Sequence, residues 1–157
     1  MQNPLERNKK HMITGLNHIT LSAKNLSKPI SFYTDILGFT LKAKWKKGAY
    51  LTFGEMWLCL TLQPKSSNST TCADADKDYT HIAFDVNAEN FTDVVNKIKA
   101  STPYLGHIKC WQKNHSEGNS YYFLDPSNHK LEIHVGNLQT RLESLKQLPY
   151  EGLELFD

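Results

Sequence analysis

The chain has 157 residues, 39% of them hydrophobic, which is enough to bury a core and fits one compact domain or two small halves sharing an interface. Its 18 basic and 16 acidic residues leave a formal charge of +2, so no overall field marks nucleic acid or anionic lipid as the main partner. No run approaches the ~20 apolar residues of a membrane span, and the opening MQNPLERNKKH lacks the apolar centre of a signal peptide. Cys59, Cys72 and Cys110 have neither metal-type nor disulfide-type spacing, which points to a reducing compartment, the cytoplasm.

In chain order, residues 1–12 read as a loose N-terminal extension and residues 13–63 as a first module. GLNHITLS predicts a strand. A helix follows, with Ser27 as its cap and Pro29 in its first turn. Ile30, Phe32, Tyr33, Ile36 and Leu37 form its apolar stripe, and Gly38 ends it. LKAKW, AYLTF and WLCLTL then predict three strands. Residues 64–78, PKSSNSTTCADADKD, form a polar linker.

Residues 79–136 predict a second module built the same way. THIAFDV is its strand, and Asn87 caps a helix whose stripe is Phe91, Val94, Val95 and Ile98. Glu89 and Asp93 lie early in that helix and Lys97 and Lys99 late, as the helix dipole favours. IKCWQ, SYYFLD and KLEIHV supply three more strands. Residues 137–157 add a C-terminal helix, NLQTRLESLKQL, and a tail. The two modules align with His18 and His81 63 positions apart, giving βαβββ twice. The architecture expected is one α+β domain whose mixed sheets curve around a shared cleft, with helices on the outside.

Side chains alternate across a strand, so each strand has one apolar and one polar face. The polar faces carry His18 and Thr20; Trp57, Cys59 and Thr61; His81; Ser120 and Tyr122; and Glu132 and His134. A lone histidine on a strand is more often a hydrogen-bonded structural residue than a ligand. Matching positions in matching modules turn the balance for His18 and His81, and Glu132 adds a carboxylate. His134, one residue pair further along, is the neighbour that orients the site, while His107, His115 and His129 lie in loops and read as surface residues.

Two imidazoles and one carboxylate leave coordination positions open, which marks a catalytic rather than a structural centre. Zinc, manganese and iron(II) all suit such a set. A divalent ion there acts as a Lewis acid on a substrate oxygen, which serves isomerisation, oxygen chemistry or the opening of a strained ring. The loop Ser116, Glu117, Gly118, Asn119 and Ser120 is either a plain turn or an oxyanion or monovalent-cation site, with Lys113 and Arg141 as nearby positive charge.

The segments TGLNHITL, ISFYTDILGF, KGAYLTFGEMWLCL, YTHIAF, NHSEGNSYYFLDPSNHKLEIHVGNL and LPYEGLELFD resemble the vicinal oxygen chelate superfamily, and within it the fosfomycin-inactivating glutathione transferases. The resemblance implies manganese(II), assisted by potassium, activating the fosfomycin epoxide toward glutathione. It places His18, His81 and Glu132 on the metal and Asn114, Ser116, Gly118 and Ser120 on the potassium loop. It also sets Thr20, Trp57, Ser120, Tyr122 and Arg141 around the drug, with Tyr50 beside the incoming thiol. It implies a homodimer in which His18 of one subunit completes a site with His81 and Glu132 of the other. One departure stands out: the family's WKQN reads Trp111, Gln112, Lys113 and Asn114 here, so the lysine expected on the phosphonate has moved by one residue. A hydrolase, a glyoxalase-like isomerase and a metal-free drug-binding protein are the competing members of the same superfamily.

Overall fold

The computed structural model describes residues 15–63, 80–105, 118–147 and 151–156. The N-terminal extension, the linker and the strand expected at IKCWQ lie outside the described residues.

In the first sheet, β1 (His18–Ala23) runs parallel to β4 (Met56–Leu62). β3 (Gly48–Phe53) and β2 (Thr40–Trp45) continue it antiparallel, in the order β1-β4-β3-β2. In the second, β5 (Ile82–Asp85) runs parallel to β7 (Lys130–Val135), and β6 (Asn119–Leu124) pairs antiparallel with β7. β5, β7 and β6 thus stand where β1, β4 and β3 stand in the first sheet. The fold is mixed α+β with two open mixed sheets, as the repeat predicts.

The first helix departs from expectation in detail. α1 (Ser27–Ser31) has Leu26 at its N-cap and no side-chain cap, so Ser27 is its first helical residue rather than its cap. Asn25 Oδ1 instead accepts a long hydrogen bond, 3.4 Å, from the Lys28 amide. Pro29 sits in the first turn, where its missing N–H costs nothing. The helix then widens into a π-helical turn, Phe32–Ile36, and ends at Gly38 with φ +76°. In that wider turn the consecutive side chains Phe32 and Tyr33 are both fully buried.

α2 (Ala88–Leu105) begins directly after Asn87, and α3 (Leu138–Lys146) is capped by Asn137, whose side chain accepts from the Thr140 amide while Thr140 Oγ1 accepts from the Asn137 amide. No helix among the described residues is long and apolar enough to cross a membrane.

A single core takes the apolar faces of both sheets. Leu51, Leu58 and Leu60 from the first, Phe123, Leu131 and Ile133 from the second, and Phe32, Tyr33, Val95 and Ile98 from the helical segments form one buried cluster. Phe32 and Phe123 have ring centroids 6.1 Å apart, and Phe53 meets Phe84 edge-on at 5.3 Å. The helical side chains therefore lie within the core that joins the sheets, and the polar faces point away from it.

A polar knot crosses this core. Asp125, 3% exposed, accepts hydrogen bonds from the Tyr33 hydroxyl at 2.9 Å and from the Ser127 and His129 amides and His129 Nδ1 at 2.8 Å each. His129, expected at the surface, is thus half-buried against a carboxylate, in a turn that Asn128 closes at φ +69°. Burial pushes the Tyr33 phenol well above its ordinary pKa, and the charge and hydrogen bond of Asp125 push the same way. A phenol that keeps its proton longer in the folded chain contributes stability that is complete below the unfolded value, about 10, and is lost as pH rises above it. Tyr33→Phe should lower unfolding free energy at pH 7 by about 1–2 kcal/mol in urea titrations and flatten the fall in stability above about pH 10. An unchanged alkaline profile in this variant would assign that fall to another group.

Candidate active site

The polar face of the second sheet gathers one half of the expected site. Glu132 lies on β7, paired on one side with Ala83 of β5 and on the other with Tyr122 of β6. Its carboxylate is 4% exposed, and a buried charge is tolerated only with close partners. His81 Nε2 donates to Glu132 Oε2 at 2.9 Å, and Ser120 Oγ donates to Oε1 at 2.5 Å. His134 Nδ1 donates to Ser120 Oγ at 2.8 Å but lies 3.6 Å from Glu132 Oε1, too far for a direct hydrogen bond. His134 thus acts on the carboxylate through Ser120, the orienting place expected of it. The Tyr122 ring stands edge-on to His81 with centroids 5.9 Å apart.

The other half lies on the first sheet. His18, on β1, stacks on Trp57 of β4 at 4.3 Å, and Tyr50 of β3 meets Trp57 edge-on at 4.7 Å. Thr20 pairs with Cys59, which pairs in turn with Tyr50, so Thr20, Cys59 and Tyr50 form a row behind His18 and Trp57. His18 Nδ1 donates to Asn17 Oδ1 at 2.8 Å, which leaves the Nε2 lone pair available to a cation. The Asn17 contact was not anticipated from sequence, although an amide directly before a strand histidine was the available signal.

His81, Glu132, Ser120 and Tyr122 therefore come together, as do His18, Thr20, Tyr50 and Trp57, but the two groups occupy different sheets. Among the described residues, no cluster of three or more His, Cys, Asp or Glu side chains forms that could hold a metal ion. Arg141 is the fourth residue of α3. Lys113, Asn114 and Ser116 lie outside the described residues.

Register explains why the halves differ. Cys59 faces Tyr50 in the first sheet as Glu132 faces Tyr122 in the second. The duplicated fold therefore carries a thiol where its twin carries the carboxylate, and among the described residues it is Glu132 on the second sheet that bonds a histidine. Both histidines belong to edge strands or their approach: His18 opens β1, and His81 immediately precedes β5.

A parallel β-strand pair stands in each of the two sheets of this chain, with His81 and Glu132 together on the polar face of the second, and this duplicated arrangement agrees with what the sequence shows of the family. The family model for the Glyoxalase/Bleomycin resistance protein/Dioxygenase superfamily matches residues 15–133, and the chain belongs to that superfamily. It is similar to Glutathione transferase FosA of Serratia marcescens, 40% identical over 142 residues covering 90% of this chain and 95% of that protein. It is also similar to Metallothiol transferase FosB of Staphylococcus haemolyticus (strain JCSC1435), 35% identical over 136 residues covering 87% of this chain and 94% of that one. Among solved structures, a mutant of the fosfomycin resistance protein FosX from Listeria monocytogenes, complexed with Mn(II) and 1S,2S-dihydroxypropylphosphonic acid, matches with a TM-score of 0.68 at 29% identity. That match covers 84% of this chain and 98% of that chain.

Gly118 leads into β6 and hence sets where Ser120 points. Its φ is +71°, and a Cβ there would lie 2.2 Å from the Val135 carbonyl oxygen. Neither the backbone conformation nor the backbone oxygen can accommodate a side chain cheaply. Gly118→Ala should therefore lower stability by roughly 1–3 kcal/mol, read as a fall in the thermal unfolding midpoint; a wild-type midpoint would show that the loop has room to shift.

Proposed function

We propose that the protein is a divalent-metal-dependent glutathione transferase that inactivates fosfomycin by thiol addition to its epoxide. It works as a homodimer in which His18 of one subunit faces His81 and Glu132 of the other, with the two modules of each chain acting as one domain. The observation that carries this reading is the division of the donor set between two sheets, His18 on the first and His81 and Glu132 on the second, with no three-donor cluster among the described residues. Each half has its own preparation: a buried carboxylate held by Ser120 and His81, and an imidazole whose tautomer Asn17 sets. The resemblance to the transferase FosA, and the Mn(II) and the diol phosphonate bound to FosX, support the metal and the drug class.

Two imidazole nitrogens and a carboxylate oxygen suit manganese, and also zinc. When bound, the divalent ion supplies Lewis-acid stabilisation for the negative charge that develops on the epoxide oxygen. The chain's own residues do the rest. Ser120 and His134 hold Glu132 in one orientation. Thr20, Ser120 and Tyr122 orient the drug through their hydroxyls, Trp57 packs against its carbon skeleton, and Arg141 binds the phosphonate together with Lys113 and Ser116. Asn114, Ser116, Gly118 and Ser120 form the potassium loop beside it. Tyr50, 39% exposed at the edge of the aromatic row, takes the hydrogen bond of the incoming thiol. A thiol of pKa near ~8.5 is only a few per cent ionised at neutral pH, so this help matters. The sulfur–carbon bond forms as the epoxide carbon–oxygen bond breaks, and the oxygen takes up a proton as a hydroxyl.

A water-adding reading has one specific support, the 1S,2S-dihydroxypropylphosphonic acid bound to FosX. Glu55, the acid nearest these strands, does not serve as its base: it sits exposed in the turn between β3 and β4, off the polar face.

Incubating the protein with fosfomycin, glutathione, manganese and potassium, each omitted in turn, should give the glutathione adduct by mass spectrometry only when thiol and divalent metal are both present. A diol formed equally well without glutathione would overturn the transferase reading. Glu132→Gln should reduce turnover by more than the 10–100-fold typical of losing an outer-shell partner, with weaker Mn(II) binding by calorimetry. Arg141→Ala should raise the KM for fosfomycin about 10–100-fold while leaving bound manganese unchanged; an unaltered KM would place the phosphonate elsewhere.

A further inference from the structure

We propose that residues 151–156 of one copy of this chain dock into a basic, partly apolar pocket at the β2–β3 hairpin of a second copy. The inference rests on the two-copy reading above and adds a contact whose lining does not include the candidate metal ligands.

The pocket is a cavity of about 740 Å³ whose walls include Lys24, Leu26, Lys44, Trp45, Lys46 and Leu62. Trp45 remains 43% exposed and Leu62 36% exposed, a large apolar area to leave in water beside three ammonium groups. The indole is held in place. It lies over Gly48, where an added Cβ would come within 2.4 Å of its Cζ2, and it meets Tyr50 edge-on at 4.8 Å. A rigid aromatic wall loses little freedom when a ligand covers it. Among the described residues, Lys24, Lys44 and Lys46 have no ion-pair partner.

The tail has the complementary character. A turn at Glu151 and Gly152, with Gly152 at φ +75°, leads into Leu153, Glu154, Leu155 and Phe156. The three apolar side chains are 38%, 41% and 83% exposed, and neither Glu151 nor Glu154 has an ion-pair partner among the described residues. Two carboxylates and three apolar side chains thus match three ammonium groups, an indole and two leucines. Both surfaces are described in the same chain and both are exposed, so the tail does not fill its own chain's pocket. A second copy brings another tail, and a two-fold pair would make the contact twice.

The test exchanges charge between the surfaces and reads association rather than turnover, so it fails or succeeds separately from the catalytic reading. One variant carries Lys44→Glu and Lys46→Glu, and the other carries Glu151→Lys and Glu154→Lys; all four residues are exposed and outside the catalytic set. Sedimentation velocity over a dilution series should show the dimer dissociation constant raised about tenfold or more in each variant alone, with circular dichroism confirming that both are folded. Mixing the two should restore association, because in the mixed dimer the exchanged tail meets the exchanged surface and the native tail meets the native surface. Phe156→Ala, with all charges native, should weaken the dimer several-fold. Unchanged dissociation constants in the single variants would overturn the proposal. So would rescue confined to a chain carrying all four substitutions, because that outcome places the contact within one chain.

Discussion

Burying Leu131 and Ile133 in the common core turns Glu132 to the far side of β7, and the same alternation turns His18 and Trp57 away from Ile19 and Leu58. Since one core claims the apolar faces of both sheets, the chemistry-bearing residues are left on the opposite faces. Packing and chemistry are thus linked by a single geometric rule. A chain that satisfies its core in this way carries its candidate residues on two sheets, with His18 opening the edge strand β1 and His81 directly preceding the edge strand β5.

The carboxylate half is the more demanding one. Glu132 sits among side chains that leave it almost no water, so its charge depends on His81 and Ser120 for compensation, and Ser120 depends on His134. In the first sheet, Cys59 at the equivalent position makes no such demand, and Thr20, Tyr50 and Trp57 surround it with hydroxyl and aromatic surface instead. The two modules supply similar platforms, and a few residue choices give one a buried carboxylate and the other a thiol among aromatic rings.

Much of this was legible in the sequence because strand alternation and repeat spacing are local properties. β7 spans Lys130–Val135 as KLEIHV predicts, Gly38 ends the first helix with the left-handed conformation glycine favours, and Ser120, Tyr122, Glu132 and His134 share a face. What the sequence did not show depends on the third dimension. An apolar stripe at Ile30, Phe32, Tyr33 and Ile36 does not distinguish a regular helix from one that widens at Phe32. Ser27 had the right chemistry for a cap, but the chain turns into the helix one residue earlier, at Leu26. His129 read as a surface loop residue because its partner Asp125 becomes buried only when Tyr33 reaches across from the other module. The separation of the polar faces is likewise a matter of how the modules pack, which no periodicity records.

The hydrogen bond between Tyr33 and Asp125 joins residues 92 positions apart and has a consequence for synthesis. A ribosome releases the whole first sheet long before it reaches Asp125, Phe123 or Leu131. During that interval the nascent half holds a phenol without its acceptor and an aromatic cluster open to solvent, the kind of surface that invites aggregation. Completion of the last strands therefore seals the first module as well as the second, and a truncated chain ending before β6 would emerge as a client for chaperones rather than as a smaller folded protein.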